Sequence, residues 1–107
     1  MPDLGECIQL CHECRDTCQQ CADACRGMDG MEECVRVCDE CVDACSMNIS
    51  RMHDGSTEWC RNCAIACEQC ADECEMHENE HCRKCAEICR TCAQECRTLA
   101  GEEEQVA

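Results

Sequence analysis

The sequence predicts an all-α protein, an antiparallel up-down-up-down four-helix bundle with a cysteine-lined core. Three observations predict it. Cys7, Cys11, Cys14, Cys18, Cys21 and Cys25 follow one another in alternating steps of 4 and 3, the spacing that returns side chains to one helix face. Such a seam is normally Leu, Ile or Val; here every slot is a thiol. The same ladder recurs as Cys34, Cys38, Cys41, Cys45, then Cys60, Cys63, Cys67, Cys70, Cys74, then Cys82, Cys85, Cys89, Cys92, Cys96, which accounts for all 20 cysteines. The breaks between ladders are short, and short connections between helices of similar length force antiparallel neighbours.

Helices are expected over residues 4–26, 30–52, 57–76 and 80–99 of a single domain spanning 1–107. The first begins with Asp3 as N-cap and Glu6 three positions on. Ile8, Leu10, Ala22 and Ala24 flank its thiols, while Glu13, Asp16 and Asp23 lie behind, so one face is buried. Gly27-Met28-Asp29-Gly30 breaks it, and Asp29 is expected to cap the second helix with Glu32 three residues later. That helix places Met31, Asn48 and Met52 on the seam with its cysteines, shouldered by Val35, Val37, Val42 and Ala44. His53-Asp54-Gly55-Ser56-Thr57 forms the next break, with Ser56 or Thr57 starting the third helix. Ala64, Ala66 and Ala71 flank the third seam and allow close helix approach; Ile65 alone is an apolar residue facing outward. Asn79 is the expected N-cap of the fourth helix, and the acidic tail 101–107 is expected to be frayed.

The large apolar stock is thin: three Leu, four Ile, four Val, one Trp and no Phe or Tyr. Buried thiols act as small hydrophobes, so the metal-free fold is expected to be loosely packed and strongly stabilised by anything that binds sulfur. A net charge of −15 argues against nucleic acid and anionic membrane surfaces as partners. No basic n-region with an apolar stretch follows Met1, and no run is long enough for a membrane span. A cytoplasmic location is expected, and in a reducing compartment dense cysteine reads as metal binding before disulfides.

The chemistry of the column narrows the metal. Cysteines at i and i+4 of one helix point in parallel, which is poor disulfide geometry. Zinc would need four thiolates per ion, each site carrying about −2, and stacking such sites along a dry axis is costly. Iron–sulfur clusters usually draw on loop spacings. Cu(I) is soft and thiophilic, and two sulfurs one turn apart suffice for it. If every ion takes two sulfurs and every sulfur bridges two ions, about 20 Cu(I) balance the thiolates of one chain and the core is neutral. A sink for Zn, Ag or Hg, or a copper chaperone, remains an alternative. An enzyme is not expected, because no Cys-His pair stands apart from the ladder; vicinal His81-Cys82 comes nearest.

From Cys7 to Cys96 the chain resembles the cysteine-rich four-helix-bundle copper storage proteins. The ladders carry the resemblance, together with Cys74-Glu75-Met76-His77 and Glu80-His81-Cys82-Arg83-Lys84-Cys85-Ala86. It implies a Cu(I) store without catalysis, commonly a homo-oligomer (a tetramer), of the cytosolic type. A copper chaperone or exporter is then the natural donor or acceptor.

The first and third turns share one end of such a bundle, gathering Met28, Met31, Met76, His77 and His81. Thioether and imidazole suit the receipt and passage of Cu(I). Met28, Met31, His77 and His81 are therefore candidate ligands at the mouth of the column, the first three by seam position. Leu4, Asn48, Met52, Trp59 and Leu99 form an apolar plug at the opposite end. His12 and His53 read as surface histidines, and the acidic helix backs as solvated surface.

Overall fold

The computed structural model describes residues 3–101. Four helices follow in order: α1 (Leu4–Cys25), α2 (Glu32–His53), α3 (Cys60–Cys74) and α4 (Glu80–Leu99). Each packs against two neighbours around a ring, α1 on α2 and α4, and α3 on α2 and α4. None of them is long and apolar enough to cross a membrane. The expected tail beyond Gly101 lies outside the described residues.

Asp3 caps α1 as expected, its carboxylate accepting from the Glu6 N–H at 2.8 Å. The starts of α2 and α3 differ from expectation. α2 begins two residues late, with Met31 at the N-cap and no side chain capping it. Gly30 takes φ of +83°, so a left-handed turn separates Asp29 from the helix, and the N-cap falls on Met31 instead. α3 begins at Cys60 rather than at residue 57. Here the Ser56 hydroxyl accepts from Glu58 N–H at 3.2 Å, and Cys60 N–H reaches back to Thr57 C=O at 3.1 Å. This local turn competes with helix and delays it. α3 also stops at Cys74 instead of residue 76, leaving 15 residues. Asn79 does occupy the N-cap of α4, without a side-chain bond.

Every ladder faces inward. No cysteine exceeds 1 % exposure. Ala22, Ala64, Ala71, Ala86 and Ala93 are buried beside them, and their small size lets the four backbones close around sulfur. Val37, Ile49, Met31 and Met52 complete the buried apolar set. On the outside, Arg26 reaches Asp39 at 2.8 Å across α1 and α2. Arg97 makes two 2.6 Å bonds to Glu68 across α4 and α3, holding that carboxyl below its ordinary range. Exposed pairs of this kind are screened by water and contribute little; the core decides the fold.

Candidate metal centre

Regular helical return on four helices brings 20 free thiols together on one axis. The innermost sulfurs meet across the bundle as well as around it. Cys14 lies 3.8 Å from Cys67 and 3.7 Å from Cys89, and Cys41 lies 3.6 Å from Cys67 and 3.9 Å from Cys89. One step along, Cys70 stands 3.6 Å from both Cys38 and Cys85, and Cys18 stands 3.5 Å from Cys85. These steps join, since Cys18 is also 3.5 Å from Cys89. A disulfide needs about 2.05 Å; these are van der Waals and weak S–H···S contacts.

At the end formed by the first and third turns, Cys25 touches Cys34 at 3.9 Å and Cys82 at 4.0 Å. Cys21 reaches Cys82 at 3.8 Å. His81 closes this group, with Nε2 3.3 Å from Cys25 Sγ. The ligand atoms of Cys21, Cys25, His81 and Cys82 all lie within 4.8 Å of one another. Two clefts reach these thiols from outside. One, of about 310 Å³ between α1 and α4, is lined by Cys21 and His81. The other, of about 360 Å³ beside the first turn, is lined by Cys25 and Met28.

The remaining candidates at this end divide. Met31 is buried against the core, whereas Met28 is 42 % and Met76 74 % exposed. His77, expected on the seam, gives its Nε2 to Glu73 at 2.8 Å. His81 is thus the imidazole in contact with sulfur. At the opposite end, a seam residue expected only to plug the bundle also meets sulfur. Asn48 is fully buried, and its Nδ2 donates to Cys11 at 3.7 Å and Cys96 at 3.6 Å. Its Oδ1 has no partner among the described residues. The signal was available: Asn48 follows Cys45 by the ladder's own step of 3, holding a slot elsewhere taken by cysteine.

Burial foremost, then neighbouring thiols, pushes Cys25, Cys34 and Cys82 up to about 12 from an ordinary 9.0. The low dielectric disfavours thiolate there. Deeper in the column the thiols titrate together. The Cys14–Cys18 bond favours thiolate at Cys14 and disfavours it at Cys18. Without metal Cys25, Cys34 and Cys82 hold their protons at neutral pH, and a cation must displace them to bind.

Comparison with known proteins agrees with this chemistry. The family profile described as "Csp: Copper storage protein" matches residues 2–101. Apo-Csp3 (copper storage protein 3) from Bacillus subtilis is similar at 37 % identity and a TM-score of 0.82, over 88 % of this chain and 95 % of that one. The Cu(I)-bound copper storage protein BsCsp3 is 35 % identical at a TM-score of 0.83, over 92 % and 99 % of the two chains. A cytosolic copper storage protein from Streptomyces lividans, solved with five coppers, is 33 % identical at a TM-score of 0.85, over 92 % of each. No curated protein matches. With the profile spanning nearly the whole chain and the thiol column in place, this chain belongs to the copper storage protein family.

Proposed function

We infer that this protein stores and buffers Cu(I) on thiolates lining the bundle core. One observation carries the reading: every one of the 20 cysteines is a buried free thiol, and neighbouring sulfurs stand 3.5 to 4.0 Å apart along the axis. Each thiolate is placed to bridge ions. About 20 Cu(I) per chain then balance the thiolate charge, and about one proton leaves per ion. That neutrality makes a filled core tolerable where a column of bare anions would not be.

Cys7 through Cys96 of the four ladders are the ligands of the store. His81 with Cys25 forms the mouth, and Met28, Met31 and His77 stand round it as weaker sites. The orphaned Asn48 oxygen is a further donor at the closed end. Turnover is not part of the role: the family is one of storage proteins, and the Cys25 thiol that His81 touches is pushed up to about 12 by burial, the opposite of an activated nucleophile. The protein works in the cytoplasm as a homo-oligomer, a tetramer in the resemblance, exchanging copper with a chaperone or exporter. Its charge of −15 leaves no basic face for nucleic acid.

Anaerobic titration of the reduced protein with Cu(I) against a competing chelator tests this. A plateau near the thiol count is expected. A plateau at about one to five ions, the stoichiometry of a chaperone or Cys₄ protein, would replace storage with that reading.

A further inference from the structure

The separations inside the column define a second kind of site. Cys14, Cys18, Cys41 and Cys89 place their sulfurs within 4.8 Å of one another. Five of the six separations run from 3.5 to 4.0 Å. Cys18, Cys70, Cys85 and Cys89 form a second such group, again with five separations of 3.5 to 4.0 Å. A flat square with these sides would have diagonals of about 5.3 Å, so each group is a compact tetrahedron. A tetrahedral ion with metal–sulfur bonds of about 2.3 Å needs sulfurs about 3.8 Å apart. The two tetrahedra share one edge, Cys18 to Cys89 at 3.5 Å.

We propose that the copper-free column binds a pair of divalent thiophilic ions, of the Zn(II) class, in these two tetrahedra with Cys18 and Cys89 as bridging thiolates. Sharing an edge changes the electrostatics that count against zinc. Two separate four-thiolate sites would carry −4 together, whereas two ions on six thiolates carry −2. Six thiol protons leave as two M²⁺ enter, and no redox change is involved. The mouth group of Cys21, Cys25, Cys82 and His81 is also a tetrahedral donor set, but it shares no sulfur with these two and offers no bridge. This site is independent of the copper stoichiometry: a low Cu(I) plateau would leave it standing, and its failure would leave storage standing.

Co(II) is the probe, added to the full chain, reduced and anaerobic. Over the first equivalent, thiolate-to-cobalt charge transfer and the intense visible band of tetrahedral cobalt are expected, with a high-spin paramagnetic resonance signal. Over the second equivalent the optical bands grow while the resonance signal falls, because bridging thiolates couple the two spins. Zn(II) then bleaches the spectrum. A weak octahedral spectrum, meaning carboxylate binding on the acidic surface only, overturns the proposal. So does a resonance signal that rises in proportion across both equivalents. Cys18→Ser with Cys89→Ser removes both bridges and is expected to abolish the spin coupling while circular dichroism stays helical. Coupling unchanged in that variant refutes the placement. If the double variant loses its helicity, Cys89→Ser alone, which leaves the Cys18 bridge, is expected to weaken the coupling and partly restore the resonance signal at two equivalents; an unchanged signal refutes the placement.

Discussion

At the scale of single residues, the fold replaces the usual aliphatic seam with sulfur and leaves very few other polar groups inside. Asn48 is the exception. An unsatisfied buried carbonyl oxygen costs about 1–3 kcal/mol, which the chain tolerates in its metal-free form at one end of the column. His81 is the informative residue at the other end. Its contact with Cys25 at 3.3 Å and its place on the α1–α4 cleft give it a direct path to sulfur, whereas His77 is engaged by Glu73. We therefore expect His81→Ala to slow Cu(I) loading several-fold in stopped-flow transfer from a chelator, with final capacity nearly unchanged. Joint replacement of Met28, Met31 and His77 should have the smaller effect. The reverse order would move the mouth to the methionine side.

At the scale of elements, helix ends matter more than helix interiors, because each seam is uniform and offers little to choose one boundary over another. α2 ends in a well-formed Schellman motif: Ser56 N–H bonds Arg51 C=O at 3.0 Å, and Gly55 N–H bonds Met52 C=O at 2.9 Å. Gly55 sits at φ +84° with open space where a Cβ would go, so only the left-handed backbone resists substitution. Gly55→Ala should destabilise the apo protein by about 1 kcal/mol, read as a lower urea midpoint at unchanged m. No change would mean that the turn relaxes without this conformation.

At the scale of the whole molecule, stability is tied to the protonation of the column. Cys25, Cys34 and Cys82 have pKa values near 12 in the fold against an ordinary 9.0. A raised value means that the folded state favours the proton. This stabilisation is complete below pH 9.0 and is lost as pH rises toward about 12. The apo protein should lose helicity across that window in an anaerobic alkaline titration. The copper-loaded form already holds thiolate, so its circular dichroism should stay flat over the same range. Identical alkaline transitions for the two forms would show that the column's protons do not control the fold. With so little aliphatic core, bound copper also supplies cohesion that side-chain burial alone does not.

Much of this was legible in the chain itself. Helical return is a local property, fixed by 3.6 residues per turn, so the steps of 4 and 3 named every buried thiol before any helix was placed against another. The alanine shoulders and the charged backs followed from the same period. What the period could not convey was which sulfur meets which, because register between helices depends on turn geometry and on contacts far apart in sequence. The left-handed turn at Gly30 and the Ser56 turn before Cys60 moved two helix starts away from their apparent caps. Packing of α1 against α4 brought His81 onto Cys25, and Glu73 drew His77 aside. The residue types that line the axis were therefore written locally, while the tetrahedra they form and the imidazole that guards them were decided by tertiary packing, since both require atoms from different helices to arrive at the same height.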